Sequence, residues 1–287
     1  MKINKITPQG YCGGVKNALN MVERAISDNS FPKPIYLLGA IIHNHHVISQ
    51  LQEKGVLLLE DKSKSKLELI KTISSGTIVF SAHGCAPNVY QLARDKGLTI
   101  LDTTCKNVLV IHNKIKFYLS EGYTCIYIGT KHHPECEGVL GISSSIILVS
   151  SLEDVKKLNI KNKKVYATNQ TTLSIYDTDL IYSEIQKQYP NIIIDNKICN
   201  ATTIRQKALL KQEKVDLCIV VGDSNSSNTK KLVLASQKAG ICTTLVDNIE
   251  DVKQLNLSNI SSISITSGAS TPNYIVDEII EYLKRAN

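Results

Sequence analysis

The sequence contains no tryptophan and only three phenylalanines, so a packed interior has to be built from aliphatic side chains. It also lacks any run approaching the ~20 apolar residues of a membrane-spanning helix. Met1–Gly14 carries no apolar stretch of signal-peptide length. The expectation is a cytoplasmic chain with no membrane partner. Nucleic-acid motifs are missing, and aromatics do not interleave with the basic runs, so no nucleic acid is expected as a ligand. Acidic residues are the minority charge, 26 against 33 basic, for a net charge of +7. That surplus reads either as a solvated basic surface or as attraction to anions, such as a phosphorylated substrate or an acidic protein partner.

What is present is cysteine, eight in 287 residues. In a chain expected in a reducing compartment this argues against a disulfide framework. Cys125, Cys218 and Cys242 lie in apolar runs and are expected to be buried small hydrophobes. Cys12, Cys85, Cys105, Cys136 and Cys199 stand beside Gly, His, Thr or Glu at element ends and call for a chemical explanation. Three of these are evenly spaced: Cys12 and Cys199 stand 93 and 94 residues on either side of Cys105. Each opens a helix-like segment, Gly14–Ile26, Lys106–Leu119 and Ala201–Glu213. A period this long indicates related lobes rather than a solenoid.

The thirds repeat one order of elements. Ile35–Gly39, Cys125–Gly129 and Leu217–Gly222 are short apolar runs ending in Gly. Val56–Leu59, Ile146–Val149 and Thr243–Val246 are second strands. Thr77–Phe80, Lys164–Ala167 and Ser262–Thr266 are third strands. Leu148–Leu158 (LVSSLEDVKKL) and Leu245–Leu255 (LVDNIEDVKQL) agree at seven of eleven positions. Continuous rather than alternating apolar runs belong to parallel sheets covered on both faces. The expected fold is α/β, with three pseudo-threefold-related lobes, each a small mainly parallel sheet flanked by helices. The expected boundaries are 13–104 (with segment 1–12 contributing Cys12), 105–197 and 198–287.

Parallel α/β sheets bind ligands at their carboxyl edge. That edge would collect Cys12, Cys105 and Cys199; then His43-Asn44, His133-Pro134-Glu135 and Ser226-Ser227-Asn228; then His83, Thr171 and Ser270. Three thiolates on a symmetry axis fit an iron–sulfur cluster with one open iron better than a structural zinc site of four protein ligands. Neutral donors suit a phosphate group, and Glu135 suits proton delivery. Bland readings stand beside these. Any one cysteine could be a buried thiol, His43 could cap an element, and His133 could only shape a loop. Ser226-Ser227-Asn228 and Ser270-Thr271-Pro272 also read as helix caps. His45, His46, His112 and His132 have no counterpart in the other thirds and are expected in loops or on the surface. A metal-dependent phosphoester hydrolase and a non-catalytic iron–sulfur sensor remain alternatives.

The ordered set Gly10-Tyr11-Cys12-Gly13-Gly14-Val15, Ile41-Ile42-His43-Asn44, Ser81-Ala82-His83-Gly84, Asp102-Thr103-Thr104-Cys105, His133-Pro134-Glu135, Gln170-Thr171-Thr172, Ile198-Cys199-Asn200-Ala201-Thr202, Asn225-Ser226-Ser227-Asn228 and Gly268-Ala269-Ser270-Thr271-Pro272 resembles the 4-hydroxy-3-methylbut-2-enyl diphosphate reductase (IspH/LytB) family along the whole chain. The resemblance implies a trefoil of three lobes around a [4Fe-4S] cluster held by Cys12, Cys105 and Cys199. It implies reductive dehydroxylation of the allylic diphosphate to isopentenyl and dimethylallyl diphosphate, the last step of the methylerythritol phosphate pathway. The open iron would bind the substrate hydroxyl, and two electrons would arrive singly. Glu135 would supply protons, with Thr171 and His133 ordering the substrate hydroxyl. His43, His83, Ser226, Ser227, Asn228 and Ser270 would hold the diphosphate. A ferredoxin or flavodoxin would donate electrons to what is expected to be a monomer. The chain departs from the family pattern at Lys106, where Pro is usual. It also departs at Cys85 and Cys136, where a small apolar residue such as Val is expected.

Overall fold

The structure, a computed structural model, describes residues 1–61 and 63–285. Lys62, in the lysine-bearing loop Asp61–Lys66, and the last two residues of the expected third lobe lie outside the described residues. The chain opens with β1 (Lys2–Lys5), α1 (Gly13–Ser27), β2 (Ile35–Leu38), α2 (His45–Glu53), β3 (Val56–Leu59), α3 (Lys66–Lys71), β4 (Thr77–Phe80), α4 (Pro87–Asp95) and β5 (Thr99–Asp102). It continues through α5 (Lys106–Ser120), β6 (Thr124–Ile128), α6 (Pro134–Leu140), β7 (Ile147–Val149), α7 (Leu152–Lys156), β8 (Val165–Asn169), α8 (Ile175–Gln188) and β9 (Ile193–Asp195). The remainder is α9 (Asn200–Leu210), β10 (Leu217–Val221), α10 (Ser227–Lys238), β11 (Thr243–Val246), α11 (Ile249–Lys253), β12 (Ser262–Ser267) and α12 (Asn273–Arg285).

The strands form three parallel four-stranded sheets: β3-β2-β4-β5, β7-β6-β8-β9 and β11-β10-β12-β1. Each sheet has the same order of second, first, third and fourth strand. The fourth place is taken by the strand preceding a cysteine: β5 before Cys105, β9 before Cys199 and β1 before Cys12. These fourth strands were not legible in the sequence. They are edge strands of three or four residues, incompletely buried, and β1 (KINK) alternates too weakly to register.

The inner strands behave as their composition dictates. β4, β8 and β10 are buried at every residue. Because strand side chains alternate between faces, Leu217, Ile219 and Val221 of β10 pack with Ile275, Ile279 and Leu283 of α12. Cys218 and Val220 face the other way, onto Leu209 of α9 and Leu232 of α10. The middle sheet divides likewise: Ile126 and Ile128 pack toward Ile181 and Ile185 of α8. Cys125 and Tyr127 pack toward Ile111 and Ile115 of α5. Buried aliphatic side chains of this kind contribute roughly 1.5–3 kcal/mol each, which stands in for the missing tryptophans.

The described chain divides into two compact units. One holds Met1–Val15, His43–Val47 and the stretch from Cys199 on, with the third sheet. The other holds Lys16–Ile42 and Ile48–Ile198, with the first two sheets. Among the described residues no helix is long and apolar enough to cross a membrane.

Two expectations about individual residues fail. Cys242 is exposed, because it stands just before β11, an edge strand with a neighbour on one side only. His112 is buried rather than on the surface, since it lies on the inner face of α5 between Val108 and Ile115. Cys125 and Cys218 are fully buried, as expected.

Candidate functional site

In an order of second-first-third-fourth strand, the crevice opens between the first and third strands, where successive connections leave in opposite directions. The loops after those strands carry most of the residues singled out from the sequence. In the middle sheet they are the loop from β6 into α6 and the loop from β8 into α8. His133 is the N-cap of α6, with Pro134 at the first helical position, where proline loses no hydrogen bond. Its Nδ1 accepts the Glu135 backbone N–H at 3.1 Å, which leaves the ring proton of a neutral His133 on Nε2.

Glu135 follows, with only 1% of its surface exposed. Its Oε1 accepts the backbone N–H of Thr171 at 2.8 Å and the Tyr127 hydroxyl at 3.3 Å. Its Oε2 accepts the Thr171 hydroxyl at 2.8 Å. Burial pushes the carboxyl up to about 7, against the pull of these three donors. The opposing effects leave a group that can hold a proton near neutral pH and release it locally. Burial also drives the Tyr127 phenol well above its ordinary range, so it remains a donor. Gln170 braces the loop: its Oε1 accepts Thr130 N–H at 2.9 Å, and its Nε2 donates to the Thr172 hydroxyl at 3.0 Å.

The loop after β4 lies in the same unit. The His83 ring meets the His133 ring edge-on, with centroids 5.5 Å apart. Ser81 Oγ lies 3.3 Å from His83 Nδ1. Gly84 has φ +74°, a backbone conformation open to glycine, and a Cβ there would stand 3.2 Å from the Thr104 methyl group. Cys105 reaches this loop through its backbone, donating to the Ala82 carbonyl at 3.0 Å. His83, Cys105, His133, Glu135 and Thr171 thus share one unit.

The other unit gathers Cys12, His43, Cys199, Ser226, Ser227, Asn228 and Ser270. Ser226 caps α10, accepting the Thr229 N–H through its side chain, and Ser227 is the first helical residue. Ser270 Oγ donates to the His43 carbonyl at 3.0 Å and lies 3.5 Å from Ser226 Oγ. Gly222 follows β10 with φ +148°, and a Cβ there would fall 2.6 Å from Thr271 Oγ1, so the position favours glycine. Asn228 is 4% exposed, yet neither polar atom of its amide has a hydrogen-bond partner among the described residues. Asn44 Nδ2 is in the same condition, while Asn44 Oδ1 accepts Val47 N–H at 3.1 Å. Buried amides without partners carry a desolvation cost of about 1–3 kcal/mol each. Such a cost is recovered when a ligand supplies the missing acceptors.

The three evenly spaced cysteines form no disulfide and are partly exposed, unlike the buried cysteines of the strands. Cys105 and Cys199 are the N-caps of α5 and α9 with nearly the same backbone, φ −60°, ψ 134° and φ −59°, ψ 136°, and neither spends its side chain on a cap bond. Cys12 immediately precedes α1 and donates its N–H to the Ala269 carbonyl at 3.1 Å. Cys12 and Cys199 also act on one buried guanidinium, that of Arg205, which burial pulls down and the two sulfurs hold up. Arg205 donates to the Gly10 carbonyl at 2.8 Å and the Ala201 carbonyl at 2.9 Å. This donor set fits a cofactor taking soft thiolate ligands.

Sequence reasoning missed Arg205 and Tyr127. Arg205 had a signal: the residue six places after each cysteine is Ala18, Ile111 and Arg205, all buried, so a charge there stands out. The departures from the family pattern separate. Lys106 is exposed on the first turn of α5. Cys85 and Cys136 are each 1% exposed within mixed aliphatic and aromatic clusters, and burial pushes the Cys136 thiol up to about 11.

Known proteins share this fold. The family model described as "LytB protein" matches residues 3–284. A Bacillus cereus (strain B4264) protein named 4-hydroxy-3-methylbut-2-enyl diphosphate reductase is 43% identical over 290 residues, covering 100% of this chain and 91% of the relative. A Bacillus anthracis (strain A0248) protein of the same name is 43% identical over 288 residues. The structure of the E-1-hydroxy-2-methyl-but-2-enyl-4-diphosphate reductase from Plasmodium falciparum matches with a TM-score of 0.91 at 35% identity, over 98% of this chain and 87% of that one. A second solved structure, titled as the terminal enzyme of the non-mevalonate pathway, matches with a TM-score of 0.69 at 28% identity over 99% of this chain. The chain belongs to the LytB family.

Proposed function

We propose that this chain is an oxidoreductase that removes the allylic hydroxyl of (E)-4-hydroxy-3-methylbut-2-enyl diphosphate, giving isopentenyl and dimethylallyl diphosphate. The carbon–oxygen bond breaks, two electrons and two protons enter, a carbon–hydrogen bond forms, and water leaves. The observation that carries the reading is Glu135: a fully buried carboxyl, pushed up to about 7 and held by Thr171 and Tyr127. A proton donor with that value is matched to neutral pH. We assign His133 and Thr171 to ordering the departing hydroxyl; the cap bond that leaves the His133 proton on Nε2 and the bond joining Thr171 to Glu135 support this.

The diphosphate is assigned to neutral donors: Ser226, Ser227, Asn228 and Ser270, with His43 and His83. The unpartnered Asn228 amide at the start of α10 supports this, because a helix start and an amide N–H both suit an anion. Remote binding of this kind fixes the allylic end for reaction. Cys12, Cys105 and Cys199 would hold a [4Fe-4S] cluster. When bound, that group supplies single electrons and a Lewis-acidic iron. The basic surface favours an acidic electron donor, of ferredoxin or flavodoxin type. We also read the chain as lobes spanning 13–104, 105–197 and 198–287, with segment 1–12 contributing Cys12 and carrying β1 of the third sheet.

The test is anaerobic purification followed by assay with reduced donor and substrate. Protein with about four iron and four sulfide per chain, turning over the diphosphate to both alkenes, is expected. Colourless protein that hydrolyses phosphoesters would overturn the reading.

A further inference from the structure

Outside the residues used above, one cluster joins two imidazoles to two carboxylates within a single unit. His45 and His46 open α2, Asp223 follows Gly222 at the end of β10, and Asp247 follows β11. One oxygen, Asp247 Oδ2, lies 3.2 Å from His45 Nε2 and 3.0 Å from His46 Nε2. The two rings lie against each other, with centroids 4.0 Å apart. On the far side of His45, Nδ1 lies 3.4 Å from Asp223 Oδ2, which also accepts the His45 backbone N–H at 3.2 Å.

With neutral imidazoles, hydrogen bonding alone accounts poorly for this set. A neutral His45 carries one proton for two carboxylates. If Nδ1 donates to Asp223, the lone pair of Nε2 faces the lone pairs of Asp247 Oδ2. Asp247 Oδ1 is buried with no hydrogen-bond partner among the described residues. The aligned segment of the middle sheet isolates what is unusual. Ser150 stands where Asp247 stands, and both backbone N–H groups bond a downstream carboxylate, Asp154 at 2.9 Å and Asp251 at 2.7 Å. Ser150 then satisfies its side chain on the Gly129 carbonyl at 2.7 Å. Asp247 instead turns an acid toward two imidazoles.

We propose that His45, His46 and Asp247 hold a divalent cation of the zinc type, with Asp223 orienting the His45 ring. Two imidazole nitrogens and a carboxylate oxygen are a normal zinc set with a fourth position left to water. Bonds of about 2.0–2.1 Å place tetrahedral ligands about 3.3 Å apart, close to the separations of Asp247 Oδ2 from the two ring nitrogens. An imidazole whose second nitrogen donates to a carboxylate is the usual support of such a ligand. His45 is largely exposed, so the cation reaches the site from solvent. Its effect is to fasten the start of α2 to the loop after β11.

The test uses the full chain with its cluster loaded anaerobically, equilibrated with zinc and then freed of loosely held metal. One zinc per chain is expected, with an X-ray absorption spectrum showing nitrogen and oxygen neighbours only. Asp247→Asn and His46→Gln should abolish that zinc while leaving iron content unchanged. Asp223→Asn should weaken it about 10–100-fold. Zinc at the wild-type level in Asp247→Asn, sulfur neighbours at about 2.3 Å, or no zinc above that of Asp247→Asn would each overturn the site.

Discussion

Glu135 shows how one residue can carry opposite obligations to fold and chemistry. Its folded value of about 7 lies above its ordinary 4.5, so between those pH values the folded chain binds more protons than the unfolded one. Its contribution to stability is therefore greatest below pH 4.5 and falls as pH rises to about 7. Glu135→Gln should flatten that decline in denaturant titrations, keep the iron, and cost turnover on the order of 100-fold or more. Activity of the unaltered chain limited by this acid should fall as pH rises through about 7. Thr171→Val removes a donor to the charged carboxylate and should move that limb to higher pH. Asn228 gives a second pair of opposed signs. Asn228→Ala removes a buried amide without partners, so thermal stability should hold or rise, while the Michaelis constant for the diphosphate rises at least about tenfold. Equal behaviour of that variant and the unaltered chain toward substrate would remove Asn228 from the site.

At the scale of elements, much was legible because continuous apolar runs ending in Gly have few structural meanings. Val56–Leu59, Thr77–Phe80 and Thr243–Val246 are strands with the bounds expected from sequence. The helix expected to reach Glu213 stops at Leu210: the C-cap Lys211 still bonds the Lys207 carbonyl through its N–H, but its backbone has left the helical region at φ −99°, ψ 0°. The fourth strands escaped because length and alternation fail together in short edge strands. The site was legible as a set of residue types at matched loop positions. Its supports were not: Tyr127 reads as a core aromatic until Glu135 is placed beside it. The loop carrying Thr171 runs into α8, whose cap Ser174 accepts Asp177 N–H at 3.3 Å and whose carbonyl accepts the Thr178 hydroxyl. Ser174→Ala should destabilise the chain by about 1 kcal/mol in urea. Faster amide exchange at residues 175–178 would locate the loss at this helix start, and unchanged exchange there would sink the assignment.

For the molecule as a whole, the identity of the third sheet matters most. Two sheets take their fourth strand from the chain just upstream of the next cysteine, while the third takes β1. Lys2 pairs with Ser262, and Lys5 with Ile265. Replacing Ile3 and Ile6 by Ser removes aliphatic contacts from both faces of this sheet. A loss of roughly 2–5 kcal/mol in denaturant unfolding is expected. The pairing also sets an order in time. β1 leaves the ribosome 260 residues ahead of its partner, which at about 5–20 residues per second is a wait of roughly 13–52 s. The first two sheets can close during that interval from strands close in sequence. The third cannot, and through it Cys12 is carried on an unpaired end until synthesis has passed β12. Loading of any cofactor that needs Cys12 and Cys199 together is thereby placed after translation of nearly the whole chain, with the first cysteine made the last to find its surroundings.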